Sequence, residues 1–242
     1  MVAQSARRLS TGSELVDSFL QGGYEHDAIT TVYGPAGCGK TNLALLAAIS
    51  AVNEGRKVVF VDTEGGFSVE RLKQLTQDHK KVMQHILFLK PTSFEEQTKS
   101  VEKISTMSTE DVGLIVIDSM TMLYRLERHS GEEGKEFTQG LGQQIRALCE
   151  LARKQSIPVL LTSQVYAAFD SPYHNAVRIV GGDILKYASK CLLEIQSLAG
   201  NRRKFILRKH RSIPGEGEML FSIVHEGIAP ALVGTQFQNK DV

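Results

Sequence analysis

The sequence lacks the features that mark a secreted or membrane-spanning protein. Its three cysteines, Cys38, Cys149 and Cys191, are widely spaced and form no CxxC pair, a pattern that argues against a disulfide framework and against a zinc site. No stretch approaches the roughly 18 to 20 apolar residues of a membrane span, and no apolar signal core follows Arg7 and Arg8. We therefore expect reduced thiols, a cytoplasmic location and no membrane partner.

A strong net charge is also absent. The formal charge is +1, so the whole molecule generates no field that attracts nucleic acid, and any such contact must come from a local cluster of cations. Apolar residues make up 42% of the 242 residues and charged residues 23%, which is the balance of a soluble globular protein. Because no repeat or linker interrupts the sequence, we expect a loose arm over residues 1–10 and a single domain over residues 11–242.

The sequence does contain a regular alternation of apolar strands and amphipathic helices. Such alternation predicts an α/β fold with a mostly parallel twisted sheet flanked by helices and with a nucleotide site at the carboxyl ends of the strands. These strands are expected at residues 29–33, 58–62, 86–89, 114–118 and 159–163. Later apolar runs, joined by turns, predict a C-terminal antiparallel extension. They lie at residues 192–196, 204–208 and 219–224.

The segment after the first strand matches the phosphate-binding pattern G-x-x-x-x-G-K-[ST], and a helical run follows it. Its glycines let backbone N–H groups turn toward phosphate oxygens, and the helix N-terminus favours negative charge. Lys40 can reach the outer phosphates, and the Thr41 hydroxyl can ligate Mg²⁺. The sequence therefore predicts a site for ATP and Mg²⁺. Its residues are Gly34, Pro35, Ala36, Gly37, Cys38, Gly39, Lys40 and Thr41.

Polar side chains follow three of the other predicted strands and are expected at the same edge. Asp118 ends one strand and would hold Mg²⁺ through a water molecule. Glu64 follows another, and a carboxylate beside the γ-phosphate can accept a proton from attacking water or orient that water. Asp62 is a rival for this role, although strand alternation favours Glu64. Gln164 follows a third strand, where its amide would touch the γ-phosphate and a downstream loop; the alternative is a polar strand end.

These motifs, in this order, resemble the RecA-like recombinase superfamily and, within it, the RadA-type strand-exchange ATPases of archaea and eukaryotes. The resemblance covers about residues 9–227 and is carried by residues 11–13, 34–41, 62–65, 70–72, 114–119, 162–165 and 181–185. It implies a RecA-like P-loop ATPase core. In that core Glu64 is the catalytic glutamate, Gln164 is the γ-phosphate sensor, and Arg71 is a cation that stacks on adenine.

Two features set the sequence apart from full RadA-type proteins. It starts almost at the ATPase core, without the helical DNA-binding domain that precedes it in those proteins. Residues 1–8 also lack the phenylalanine-centred motif that hooks one subunit onto the next. With the segment Lys209-His210-Arg211-Ser212, the chain looks like the RadB family of short archaeal paralogues. That family implies an accessory role in homologous recombination beside a main RadA-type recombinase, with ATP and DNA binding, weak ATP hydrolysis and little strand exchange.

Cations and aromatic residues supply the candidates for DNA contacts. The family implies two DNA-contacting loops, at about residues 127–140 and 166–182. Charges in the first are mixed, whereas the second combines stacking groups with a cation, as single-strand sites require. Its candidates are Tyr166, Phe169, Tyr173, His174 and Arg178. Residues 202–211 form the strongest basic cluster, in which Arg202 and Arg203 are the DNA candidates. The alternatives are local packing of the aromatic residues and a strand edge that charge protects from aggregation.

The spacing of Lys209 and Arg211 has a second interpretation. It resembles the cationic pair that circadian-clock-type RecA-like ATPases insert into a neighbouring subunit's site, which would make activity depend on a homo-oligomer. The alternative to a DNA repair function is therefore a regulatory ATPase of that type, which signals through protein contacts. A third hypothesis is a binding module in which ATP fixes a conformation and turnover is incidental.

Overall fold

A large β-sheet forms the centre of the protein in a computed structural model that describes residues 7–107, 109–127, 134–167 and 177–231. The strands are β1 (Arg8–Leu9), β2 (Tyr24–Glu25), β3 (Ile29–Tyr33), β4 (Lys57–Asp62), β5 (Ile86–Leu89), β6 (Val112–Asp118), β7 (Val159–Ser163), β8 (Val165–Ala167), β9 (Val177–Ile179), β10 (Cys191–Ser197), β11 (Arg202–His210), β12 (Gly217–Val224) and β13 (Gly227–Pro230). The helices are α1 (Glu14–Phe19), α2 (Lys40–Asn53), α3 (Val69–Leu75), α4 (His79–Gln84), α5 (Phe94–Thr106), α6 (Met122–Glu127), α7 (Gly134–Gln155) and α8 (Gly182–Ala188).

Nine of these strands form one sheet, in the order β13-β12-β11-β10-β3-β7-β6-β4-β5. Neighbouring strands from β10 to β5 are parallel, and β11, β12 and β13 continue from β10 as antiparallel neighbours. The parallel strands read as nearly continuous apolar runs because both of their faces are covered. The predicted fold class, a mostly parallel sheet flanked by helices with a C-terminal antiparallel extension, is confirmed.

Helices cover both faces of the parallel part of the sheet. On one face, Leu43 of α2 belongs to the same buried cluster as Phe60 of β4. On the other, Leu148 of α7 belongs to a cluster with Ile117 of β6. In the described ranges, no helix is both long enough and apolar enough to cross a membrane. Because helices occupy both faces, the ends of the strands are the places where a ligand can reach the sheet.

The parallel order brings the carboxyl ends of four strands to one edge. Register pairs place Tyr33, at the end of β3, opposite Ser163, at the end of β7. They likewise place Asp62 of β4 opposite Asp118 of β6. The residues that follow these strands therefore meet at one edge of the sheet.

Two stretches differ from the expectation. The predicted loose arm over residues 1–10 is too long, because Arg8–Leu9 pairs with Tyr24–Glu25 and Leu9 is buried. In the first predicted DNA loop, residues 134–140 are helical, because α7 begins at Gly134. The second predicted loop is entered and left through the antiparallel strands β8 and β9.

Aromatic packing joins the antiparallel extension to the rest of the core. Phe205 of β11 is fully buried. Its ring stacks on that of Phe221 of β12 at a centroid distance of 4.2 Å, and on that of Phe19 of α1 at 6.3 Å. The extension therefore contributes directly to the main hydrophobic core.

We expect Phe205→Ala to lower the free energy of unfolding by about 3–5 kcal/mol, the usual cost of truncating a buried aromatic side chain. Urea denaturation followed by circular dichroism measures this loss. The control is Leu220→Ala on β12, where the side chain is 39% exposed and the expected change is within about 0.5 kcal/mol. Equal losses in the two variants would contradict the stacked core.

Candidate nucleotide and magnesium site

The phosphate loop connects β3 to α2 and has the shape that its sequence predicts. Gly37 and Gly39 adopt positive φ angles of 72° and 110°, which are strained for residues with a side chain. Lys40 is buried, and its ammonium group donates hydrogen bonds to the carbonyl oxygens of Gly34 and Pro35, at 3.0 and 2.9 Å. These contacts hold the lysine inside the loop, within reach of the position that a phosphate would take.

Strands β10 and β12 form the wall behind this loop. A Cβ on Gly34 would collide with the carbonyl oxygen of Ile195 in β10, and a Cβ on Gly39 would lie 2.5 Å from Cδ1 of Ile223 in β12. A close backbone contact therefore requires the glycine at position 34, and the positive φ angle requires the one at position 39. The sequence motif gives no sign of these contacts, because Ile195 and Ile223 lie far along the chain.

The carboxylate of Asp118 is bound by two hydroxyl groups. Thr41 donates a hydrogen bond to Oδ2 at 2.6 Å, and Thr162 of β7 donates one to Oδ1 at 2.5 Å. Burial raises the pKa of the Asp118 carboxyl; the two hydrogen bonds oppose that increase, and the charges of Glu64 and Asp62 add to it. A bound cation would relieve the cost of this buried charge.

The residues at this position fit Mg²⁺. Thr41 and Asp118 supply hard oxygen donors, which Mg²⁺ prefers. The bare Cα of Gly66 faces them: a Cβ there would lie 3.4 Å from the Thr41 hydroxyl and 4.0 Å from Asp118 Oδ2. The glycine thus keeps space open next to both donors.

The structure distinguishes the two acidic residues after β4. Asp62 is buried, and its oxygens accept hydrogen bonds from the backbone N–H groups of Gly66 and Phe67, at 3.0 and 3.1 Å. It therefore holds the loop that follows the strand. Glu64 is exposed and accepts a hydrogen bond from the Gln164 amide at 2.9 Å. Of the two, Glu64 is the carboxylate that is exposed at the edge of the sheet.

Thr63 links the two strand ends, a role that sequence reasoning missed. Its backbone N–H donates to the Asp118 carbonyl at 2.9 Å. Its hydroxyl donates to the Ser119 carbonyl at 2.8 Å and accepts from the Ser119 N–H at 2.9 Å. These bonds fix Glu64 relative to Asp118. Only knowledge of which strands are neighbours could have indicated this role.

The guanidinium group of Arg71 is held by hydrogen bonds that its nitrogen atoms donate in the plane of the group. It donates to the side chain of Asn42 at 2.8 Å, and to the backbone carbonyls of Val224 and His225 at 2.8 and 2.9 Å. These contacts join the start of α2 to the turn between β12 and β13. They fix the plane of the group, so a base would contact its face. Stacking on adenine remains a prediction.

The basic cluster is divided between two edges of the sheet. β11 is antiparallel to β10, which is parallel to β3. Arg202 and Arg203 therefore lie toward the phosphate-loop edge, and Lys209 and Arg211 lie toward the opposite one. Arg202 donates to the Ala199 carbonyl at 3.1 Å.

Many of these cations already have partners in their own chain. Arg211 forms ion pairs with Glu25 and Asp27, at 2.6 and 2.7 Å. Lys209 donates to the Lys186 carbonyl at 2.7 Å. Others in the cluster also pair with carboxylates: Lys204 with Glu218, and Arg208 with Glu194 and Glu216. The cluster is therefore less cationic than its sequence suggests.

Two of the loop candidates face each other across the β8–β9 ribbon. Tyr166 and Arg178 are direct cross-strand partners, and both are exposed. Because opposite residues in a ribbon share a face, an aromatic ring and a cation are presented together. Phe169, Tyr173 and His174 lie outside the described residues.

We expect Gly34→Ala to weaken nucleotide binding and to lower the free energy of unfolding by about 1–3 kcal/mol, since the new methyl group overpacks the loop against β10. Binding of a fluorescent ATP analogue and urea denaturation test this. The control is Gly142→Ala in the middle of α7, where the new Cβ has no atom within 4 Å apart from the neighbouring backbone of its own helix; this change should stabilise the helix by about 0.5–1 kcal/mol. Normal binding by Gly34→Ala would refute the wall assigned to β10.

Comparisons with known proteins agree with this architecture. A family model described as Rad51 matches residues 3–231. The DNA repair and recombination protein RadB of Methanobrevibacter smithii is 40% identical over 220 residues, which cover 88% of this chain and 92% of the relative. The protein of the same name from Methanococcoides burtonii is 36% identical over 222 residues, covering 91% and 97%.

A solved structure described as the RadB recombinase has the same fold. It matches with a TM-score of 0.77 and 32% sequence identity, and the match covers 92% of this chain and 99% of the other. The chain therefore belongs to the Rad51 family of the RecA superfamily, in its archaeal RadB branch.

Proposed function

We propose that the chain is an ATP- and DNA-binding accessory protein of homologous recombination and DNA repair. The observation that carries this proposal is the hydrogen bond between Glu64 and Gln164. It joins a carboxylate beside the phosphate loop to the residue from which the β8–β9 ribbon starts. A nucleotide at this position would therefore contact the base of a candidate DNA loop. The names of the relatives, DNA repair and recombination proteins, support the same role.

The described side chains supply the parts of an ATP site. Backbone N–H groups of the loop would bind the phosphates, and Lys40 would exchange its carbonyl partners for phosphate oxygens. Thr41 would bind Mg²⁺ directly and Asp118 would bind it through water. The metal, when bound, neutralises charge on the outer phosphates. Arg71 would stack on the adenine.

Hydrolysis would use Glu64 as the base. Water attacks the γ-phosphorus, the bond from that phosphorus to the bridging oxygen of ADP breaks, and the water proton passes to the Glu64 carboxylate. Gln164 would contact the γ-phosphate and report its presence to the ribbon. With Gln164 bound to Glu64, the carboxylate is not yet turned to water, which fits a weak ATPase.

The proposed DNA contact lies on the β8–β9 ribbon. Tyr166 would stack on a base and Arg178 would approach the backbone, an arrangement that favours single strands. A main RadA-type recombinase and further copies of the chain are the proposed protein partners. The circadian-clock-type alternative requires Lys209 and Arg211 to enter a neighbouring subunit, but Arg211 is ion-paired with Glu25 and Asp27 of its own chain. This observation favours the DNA repair function.

We expect Glu64→Gln to reduce ATP hydrolysis by at least about 100-fold, since general-base catalysis contributes roughly 10²–10⁴-fold. Affinity for ATP should stay within about twofold, because Glu64 does not hold the nucleotide. Phosphate release and binding of a fluorescent ATP analogue measure the two quantities. The control is Glu70→Gln, which replaces an exposed carboxylate paired with Lys73 and should leave both unchanged. Full hydrolysis by Glu64→Gln would show that another group acts as the base.

We expect labelled single-stranded DNA to bind in the presence of ATP and Mg²⁺, with an affinity that falls as salt rises. Fluorescence anisotropy measures this binding. Tyr166→Ala should weaken it roughly tenfold through lost stacking, whereas Tyr187→Ala, at a ring that is 78% exposed on α8, should leave it unchanged. A wild-type chain that binds no DNA at low salt would overturn the DNA function and favour the circadian-clock-type alternative.

A further inference from the structure

The two oxygens of the Asp118 carboxylate have different surroundings. Oδ2 lies next to Thr41 and the open space at Gly66, where the metal is expected. Oδ1 points to the neighbouring strand and accepts the hydrogen bond from Thr162. The carboxylate therefore offers the metal side only one of its oxygens.

The backbone of Thr162 is held by its neighbours in the sheet. The residue is fully buried. Its carbonyl accepts a hydrogen bond from the N–H of Met120 at 2.9 Å, and the strand that carries it pairs with β6 and β3. Because the residue is fully buried, water cannot replace Oδ1 as the partner of its hydroxyl group. The orientation of the Asp118 carboxylate is thus built into the fold.

The number of oxygens that a carboxylate offers matters to the choice of metal. Mg²⁺ demands near-octahedral geometry, keeps several waters and is bound through one or two carboxylates. Ca²⁺ accepts more ligands at longer distances and commonly takes both oxygens of one carboxylate. A carboxylate that turns only one oxygen toward the metal position therefore suits hydrated Mg²⁺, and it prevents the bidentate contact that Ca²⁺ commonly makes.

We propose that Thr162 is a specificity-determining residue of the metal site, and that its hydroxyl holds Asp118 in a one-oxygen geometry that favours Mg²⁺ over Ca²⁺. Thr162 contacts Asp118 and would act on the metal through it, so it is a positioning residue. The inference rests on the proposed function, because the metal concerned accompanies ATP.

The test measures metal-dependent nucleotide binding without turnover. A fluorescent ATP analogue is held with the full chain while MgCl₂ or CaCl₂ is added, and the half-saturating concentration of each metal is recorded. In Thr162→Val the requirement for Mg²⁺ should rise about 10-fold, the lower end of the loss that is usual for outer-shell partners, because Asp118 would bind the metal through water. The requirement for Ca²⁺ should rise less, so that the preference for Mg²⁺ falls at least about fivefold. Binding of the analogue in EDTA should be unchanged.

Two further variants separate positioning from general damage. Thr162→Ser keeps the hydroxyl and should restore the wild-type preference. Thr121→Val removes another buried hydroxyl, which contacts Ser163 at 2.9 Å and does not touch Asp118, and should leave the preference unchanged. If the valine variant does not fold, Thr162→Ala, which removes the hydroxyl with less bulk, takes its place.

The outcomes are distinct. An unchanged ratio of Mg²⁺ to Ca²⁺ requirements in the folded variant that lacks the hydroxyl overturns the inference while leaving the proposed function intact. An equal loss in Thr121→Val also overturns it, since the effect would then be general. If the wild-type chain shows no metal-dependent binding of the analogue, the proposed function fails and this inference fails with it.

Discussion

The burial of one carboxylate organises this protein. Asp118 ends the fully buried strand β6, where the surrounding core raises the energy of its charge. The charge is tolerated because hydroxyl groups from two other elements, the start of α2 and the end of β7, donate to it. Each of these elements is thereby tied to β6 at the edge where the strands end. The phosphate loop, the proposed metal position and the base of the β8–β9 ribbon are arranged around this contact.

Much of this arrangement could be predicted from the sequence, because it depends on patterns within short segments of the chain. Strands β4, β5 and β6 contain the apolar runs Val-Val-Phe-Val, Ile-Leu-Phe-Leu and Leu-Ile-Val-Ile, and the spacing of the phosphate loop is specific. The alternation of strands and helices predicted parallel strands. Parallel strands in turn place Glu64, Asp118 and Gln164 at the same edge of the sheet. What the sequence could not show was which side chains touch. The role of Thr162 depends on β6 and β7 being neighbours, although a long helix separates them in the chain.

The cationic residues near the C-terminus also show that sequence does not reveal which side chains are in contact. In the sequence, residues 202–211 form a dense basic cluster with no acid inside it. In the structure, several of its members form ion pairs with carboxylates from other parts of the chain: Glu25, Asp27, Glu194 and Glu218. A short window of sequence reports charge but not the partners that folding brings to it. The direction of β11 then places the two ends of the cluster on opposite edges of the sheet.

The close contacts behind the phosphate loop affect how its working unit is defined. A fragment ending after β10 would keep every residue of the phosphate-binding motif, yet it would lose Ile223, which lies against Gly39. It would also lose the turn to which Arg71 is bound. The smallest unit able to shape the loop therefore extends through β12, and the boundaries of the motif are a poor guide to where the chain can be cut.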